Sequence, residues 1–317
     1  MKTVIVDAFT SNPGDLSWDS IEQLTSLTIY PRTSPDQLLK RVQNAEAVLT
    51  NKVCFDRQLL EQLPKLKYIG VLATGTNVID LQAASDLGIC VTNIPAYSTP
   101  FVAQHTFALI LEIMNKVQLH SETARAGRWD QCIDFSYTLS PLHELKDKTL
   151  GIIGLGSIGQ SVAKIAQAFD MKIVALESFR SDSSDSIFQR LNREDFFRQS
   201  DIISLHCPLT PDTQEIINAD NLALMKSSGV IINTGRGPLI NEVDLANALN
   251  TNQIAAAGLD VLSTEPPAPN NPLLTAANCL ITPHIAWASV EARTRLIAIA
   301  SENIAAFQVS KPMNQVN

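Results

Sequence analysis

Cysteine is scarce and unpaired by spacing: Cys54, Cys90, Cys132, Cys207 and Cys279 are the five in 317 residues, with no C-x-x-C pair. That usage suits reduced thiols in a cytoplasmic protein and speaks against a disulfide framework or a zinc site. Basic blocks are missing too. With 24 Lys and Arg against 32 Asp and Glu, a net charge of −8, the chain lacks the clustered cations that a phosphate backbone needs. Nucleic acid is therefore not an expected partner. No apolar run reaches membrane-spanning length, and the opening MKTVIVDAFT has too short an apolar stretch for a secretory leader. Internal repeats are absent, and the nearest thing to low complexity, SDSSDS at 181–186, reads as a surface loop. No His, Cys, Asp or Glu cluster has ligand spacing, so no metal is expected.

What is present is the composition of a globular protein, 45% apolar and 18% charged, with length enough for two domains. Short buried-strand patterns at Thr3–Val6, Ala47–Asn51, Tyr68–Ala73 and Cys90–Asn93 alternate with helical ones such as Ser34–Val42. There Ser34 can cap and Pro35 fits the first turn, while Gly88 is a helix stop. Strands alternating with helices predict parallel α/β sheets. After Asn93 the rhythm breaks. Val102 to Val117 is one long apolar stretch, expected to form a helix buried on most sides. A second alternating series runs from Thr149 to Pro283, and Ser289–Val309 closes the chain as an amphipathic helix. The second series is thus an α/β domain inserted into the first if that helix returns.

Residues 149–159, TLGIIGLGSIG, carry a hydrophobic strand into G-x-G-x-x-G at Gly154, Gly156 and Gly159, and a helical pattern over Ser161–Phe169 follows. Glycines here permit a tight turn and close approach of backbone to a pyrophosphate, with the helix N-terminus donating N–H groups. The motif alone is a weak signal. A second strand, Lys172–Leu176, ends at Glu177, 18 residues after Gly159, where a ribose 2′-hydroxyl needs an acceptor. A carboxylate there repels the 2′-phosphate of NADP and favours NAD, although Arg180 could partly offset it.

Three later segments each set an unusual polar residue after a buried strand. I-I-N-T-G-R-G delivers Arg236, whose planar fork can hold a carboxylate with two parallel bonds. G-L-D-V-L-S-T-E-P-P places Asp260 and Glu265 five residues apart, and I-T-P-H-I-A-W brings His284 after a strand and Pro283. Singly these are a surface arginine, a turn acid and a half-buried histidine. Together, at strand ends of a sheet that also carries a dinucleotide turn, they describe a site, because ligands gather outside those carboxyl ends.

In order, G-L-G-S-I-G, L-H-C-P-L-T, I-N-T-G-R-G, G-L-D-V, E-P-P and T-P-H-I-A-W resemble the D-2-hydroxyacid dehydrogenases over nearly the whole chain. The resemblance implies two doubly wound parallel-sheet domains: a flavodoxin-like substrate domain of residues 1–98 and 288–317, and an NAD-binding Rossmann domain of residues 99–287. It implies Arg236 as the substrate carboxylate anchor, His284 as general acid/base and Glu265 as its partner. Thr74, Gly75 and Thr76 would form a substrate loop, with Thr74 also near the nicotinamide and Trp287 shortening the pocket. Ser157 and Ile158 would touch the pyrophosphate, and Cys207 would line the adenosine side. Thr234, Gly235 and Asp260 would lie near the nicotinamide end, Asp260 accepting from its carboxamide. One departure is Glu177, where the family more often has Asp.

Segments such as L-A-T-G-T-N-V-I-D, V-A-Q-H-T-F-A-L-I-L and H-I-A-W-A-S-V-E-A-R are most similar to the glycerate dehydrogenase/hydroxypyruvate reductase branch. That implies NAD(H)-dependent interconversion of hydroxypyruvate or glyoxylate with D-glycerate or glycolate, in a cytoplasmic homodimer. Pyruvate or phosphohydroxypyruvate as substrate, and an NADH-sensing corepressor-like binding protein, are the alternatives on the same fold.

Overall fold

Apolar runs of four or five residues, buried on both faces, become parallel strands, because only helices packed on each face can cover them. Most strands follow this in a computed structural model of the chain, which describes residues 1–177 and 188–317; Ser26–Ile29 and Gln189–Leu191, at sheet edges, are more exposed. Arg180 and the 181–186 stretch lie outside the described residues. The chain divides into two compact units, Met1–Ser98 with Trp287–Asn317, and Thr99–Ala286.

In the first unit, β1 (Lys2–Ile5), β2 (Ser26–Ile29), β3 (Ala47–Thr50), β4 (Tyr68–Val71) and β5 (Cys90–Thr92) form one parallel sheet in the order β2-β1-β3-β4-β5. Successive side chains point to opposite faces. Val4, Val6, Val48, Ile69 and Val91 pack with Leu38, Val42 and Leu60 on one side. Ile5, Leu49 and Tyr68 pack on the other with Trp18, Ile21, Leu296 and Ile304. The last two belong to helix Val290–Gln308, which therefore returns to cover the first sheet, with Ser289 capping its start through Oγ to the Ala292 N–H at 3.1 Å. Trp287 packs against this second core, so the boundary falls one residue earlier than the expected 287/288. Ser34 sits at the start of helix Pro35–Val42 but its hydroxyl makes no capping bond, so Pro35 alone sets that first turn. Gly88, at φ +70°, does follow helix Leu81–Asp86.

The second unit holds β6 (Thr149–Ile153), β7 (Lys172–Leu176), β8 (Gln189–Leu191), β9 (Ile202–Leu205), β10 (Val230–Asn233), β11 (Ala256–Leu259) and β12 (Cys279–Ile281). Their order is β12-β11-β10-β9-β6-β7-β8, all parallel, which is a Rossmann sheet with a seventh strand. The long apolar stretch forms helix Thr99–Asn115. Its buried residues, among them Val102, Ala103, Thr106, Phe107, Leu109, Ile110 and Met114, make a single stripe rather than an all-round apolar surface. That stripe packs with Val162, Ala163 and Ala166 of helix Ser157–Ala168 and with strand residues Ile152 and Ile232. The helix stops before the expected Val117, because Lys116 takes a left-handed φ of 48° and a new helix, Val117–Thr123, begins.

In the first unit, the switch point between β1 and β3 is filled from within. The buried Asp7 carboxylate accepts the N–H groups of Asn51 at 2.9 Å, Lys52 at 2.6 Å and Val53 at 3.1 Å. Removing it strands three donors, so Asp7→Ala should lower unfolding free energy by about 3 kcal/mol, read from urea denaturation. A loss under about 0.5 kcal/mol would show that water replaces the carboxylate freely.

Candidate active site

Parallel pairing brings the C-terminal ends of β10, β11 and β12 side by side: Asn233 is opposite Leu259, and Leu259 opposite Ile281. Each strand then turns, and the three turns carry Arg236, Glu265 and His284 in that order. After β10, Asn233 stitches the turn, its Oδ1 accepting the Gly235 N–H at 2.9 Å and its Nδ2 donating to the Arg236 carbonyl at 2.8 Å. Arg236 emerges exposed, one guanidinium N–H on the Gly235 carbonyl at 2.8 Å. Gly237 follows because nothing larger fits: a Cβ there would lie 2.0 Å from the Leu262 carbonyl carbon. The Arg236 turn thus presses directly on the segment leading to Glu265.

Glu265 accepts the Leu262 N–H on one oxygen at 3.2 Å and meets His284 Nδ1 with the other at 2.6 Å. Both side chains are about one-third exposed, 34% and 27%. Nδ1 is spent on the carboxylate, so Nε2 is the nitrogen that can exchange a proton with a ligand. His284 has φ +55° and donates its N–H to the Asp260 carbonyl at 2.8 Å. The structure therefore brings Arg236, Glu265 and His284 to one sheet edge.

Asp260, expected to serve the nicotinamide carboxamide, uses both carboxylate oxygens within the protein. Oδ1 accepts from Thr282 Oγ1 at 2.6 Å and the Ile285 N–H at 2.9 Å, and Oδ2 from the Ala286 N–H at 2.8 Å. Burial works to raise its pKa, yet the bonds from His105, Thr282 and the two backbone donors outweigh it and hold the carboxyl below its ordinary range. Thr234 is likewise turned inward, its hydroxyl 3.2 Å from that of Thr106, while Gly235 stays in the Arg236 turn. His105, Thr106, Asn233 and Thr282 were not singled out in the sequence, although a polar His–Thr pair inside an apolar helix was the available signal.

The strand order of this sheet reverses at the switch point between β9 and β6, and beyond it, after β6, Gly154 has φ +98°, where a Cβ would lie 2.5 Å from the Cys207 backbone nitrogen. Cys207 thus abuts the glycine turn, and burial pushes its thiol up to about 11. A Cβ on Gly159 would lie 2.1 Å from the Gly154 carbonyl oxygen, so strand, turn and helix interlock. Gly156 faces open space and heads helix Ser157–Ala168 without any side-chain cap. That helix starts four residues before the expected Ser161, within the motif itself, which puts Ser157 and Ile158 in its first turn. Uncapped N–H groups beside a cradle with no Cβ fit a pyrophosphate. Glu177 lies exposed just past β7, its N–H donating to the Leu191 carbonyl at 2.9 Å, at the distance along the chain that a ribose acceptor needs. Thr74, Gly75 and Thr76 occupy the turn after β4 in the other unit, where Thr74 Oγ1 donates to the Ile94 carbonyl at 2.8 Å.

The description "D-isomer specific 2-hydroxyacid dehydrogenase, NAD binding domain" matches residues 107–286, more than half of the chain. The chain belongs to the D-isomer specific 2-hydroxyacid dehydrogenases. It is 45% identical to a hydroxypyruvate reductase of Blautia hydrogenotrophica, covering all of both chains. It is 40% identical to a glycerate dehydrogenase of Methylorubrum extorquens over 89% of each. Among solved structures, an acyclic imino acid reductase in complex with NADPH and D-Arg covers both chains fully at 33% identity and a TM-score of 0.87. The dehydrogenase acts on CH–OH groups with NAD(H), reducing keto acids to D-hydroxy acids.

Glu265→Gln keeps a hydrogen bond to Nδ1 but removes the carboxylate that faces the ring at 2.6 Å. The kcat of keto-acid reduction should fall by about tenfold or more, with KM for the keto acid nearly unchanged. A wild-type kcat would remove Glu265 from the proton-transfer pair.

Proposed function

We propose that this dehydrogenase reduces hydroxypyruvate and glyoxylate to D-glycerate and glycolate, and runs the reverse reactions, with NAD(H) preferred to NADP(H). The observation that carries the chemistry is the His284–Glu265 contact of 2.6 Å at the same sheet edge as Arg236. The names of the hydroxypyruvate reductase and glycerate dehydrogenase relatives support the substrates.

Reduction requires a hydride, which bound NADH supplies. Everything else falls to the chain's own side chains. Arg236 holds the substrate carboxylate with its fork and so fixes which face of the keto carbon is presented. His284, protonated and oriented through Nδ1 by Glu265, holds a proton at Nε2 for the carbonyl oxygen as charge grows there. In the oxidative direction the same nitrogen takes the proton back. For Thr74, Gly75, Thr76 and Trp287 the substrate roles rest on the family resemblance and are proposed on that basis.

His284→Ala should cut kcat by about 10²–10⁴. Arg236→Ala should damage KM and kcat together, since the anchor acts in ground and transition states alike. An Arg236→Lys variant with full activity would contradict the bidentate anchor.

Glu177 supports the cofactor preference, because a 2′-phosphate would meet its carboxylate. With a panel of hydroxypyruvate, glyoxylate, pyruvate, phosphohydroxypyruvate and phenylpyruvate, NADH should exceed NADPH in kcat/KM, and Glu177→Ser should narrow the gap. The two small keto acids should exceed phenylpyruvate. A wild-type preference for NADPH of about tenfold, or fast turnover of phenylpyruvate beside inert hydroxypyruvate, would contradict these assignments.

Assembly as a homodimer is also proposed. Trp129, Ile133 and Phe135, at 58%, 103% and 90% exposure, crowd apolar surface into one short segment, which a second copy would cover. The five free thiols fit a reducing, cytoplasmic setting, and among the described residues no helix is long and apolar enough to cross a membrane.

A further inference from the structure

Helix Thr99–Asn115 turns an apolar stripe to the core of the second unit, yet it carries a histidine whose side chain is only 12% exposed, directly beneath the catalytic turn. A half-polar ring in that position costs stability unless it is bonded. Its Nε2 lies 3.0 Å from Thr282 Oγ1 and 3.5 Å from Asp260 Oδ1. Thr282 donates its own hydroxyl hydrogen to Asp260 at 2.6 Å, so it can only accept from the ring, and His105 must carry its proton on Nε2. The direction of the bonds is thereby fixed, and all of them converge on Asp260: His105 Nε2–H donates to Thr282, Thr282 donates to Asp260, and the N–H groups of Ile285 and Ala286 donate to the same carboxylate.

That chain surrounds His284 on both sides. Thr282 precedes it by two residues, Ile285 and Ala286 follow it, and its own N–H is held by the Asp260 carbonyl. His284 itself sits at φ +55°, where an L-residue with a bulky side chain pays conformational energy, so the turn keeps that shape only while its bonds hold. Asp260, Thr282 and the 284–286 backbone all come from the β11–β12 edge. His105 is the donor that ties this edge to the helix. The adjacent Thr106 meets Thr234 in the Arg236 turn, so two consecutive residues of one helix support both reactive turns.

We propose that His105 is a positioning residue for the reaction, holding the 282–286 turn through Thr282 and Asp260 so that His284 is presented to the substrate carbonyl. The inference rests on His284 being the proton donor. It predicts that His105 matters to turnover and not to cofactor binding, because the glycine turn lies on the other side of the switch point.

The test uses the full-length wild type, His105→Leu, His105→Gln and Thr282→Val. Readouts are kcat and KM with hydroxypyruvate, NADH affinity by nicotinamide fluorescence, and Tm. His105→Leu removes the donor and should lower kcat by about ten- to a hundredfold, the scale of a misplaced catalytic group, with NADH affinity unchanged. His105→Gln can set an amide N–H near the place of Nε2 and should recover most of the loss. Thr282→Val keeps the shape and deletes the relay hydroxyl, so it should reproduce the His105→Leu defect even if that variant fails to fold. The His105→Leu/Thr282→Val double variant should be no worse than either single.

Wild-type kcat in His105→Leu would overturn the proposal. So would equal losses in the Leu and Gln variants accompanied by falls in Tm and NADH affinity, which mark a role in the fold alone. Independent, multiplying losses for His105 and Thr282 would also overturn it. A wild type inactive on every keto acid in the panel would instead overturn the functional reading, and this proposal with it.

Discussion

The buried carboxylate of Asp260 is the interaction on which the reactive geometry depends. It sits at the end of β11, 1% exposed, and receives donors from Thr282, Ile285 and Ala286 while its carbonyl receives the His284 N–H. A buried carboxylate is costly unless its lone pairs are filled, and here the filling groups are Thr282 and the backbone of the turn around His284. The need to satisfy one buried charge thus fixes the conformation that displays His284. The electrostatic consequence follows the same bonds: the carboxyl is held ionised despite its burial.

A similar economy operates at the dinucleotide side. Gly154 and Gly159 are there because backbone atoms occupy the space of a Cβ, and Gly156 because a cap would occupy the space of a ligand. Close packing of turn on helix and openness at the helix start are produced by the same three residues. In the first unit the equivalent switch point is closed by Asp7, which saturates the N–H groups after β3 with the protein's own carboxylate. Two sheets of related design therefore diverge at the point where ligands usually gather: among the described residues no side chain caps the helix after β6, whereas Asp7 takes up the N–H groups after β3.

Much of this was legible in the sequence for physical reasons. Parallel strands buried on both faces read as short apolar runs, and the alternation with helices marked both sheets. Arg236 and His284 stood out as polar residues three positions past the ends of strands, and Glu265 through the E-P-P turn between them. What stayed hidden were groups whose meaning lies in distant partners. His105 and Thr282 are 177 residues apart, and Thr106 and Thr234 are 128 apart, so neither pair leaves a local pattern. Asp260 was visible as an acid near the site, but two of its partners are backbone N–H groups, which no side-chain motif records, and His105 is distant in the chain. The end of helix Thr99–Asn115 was misplaced because Lys116, which takes the left-handed conformation there, is not a residue type that signals a stop.

The turns that carry Arg236 and His284 are proposed to hold the carboxylate of a keto acid and to deliver its proton, with D stereochemistry. This is tested by reducing hydroxypyruvate with NADH to completion and assigning the glycerate formed by chiral chromatography. D-Glycerate alone is expected, in one-to-one ratio with NADH consumed. Racemic or L-glycerate, or NADH consumption without glycerate, would contradict it.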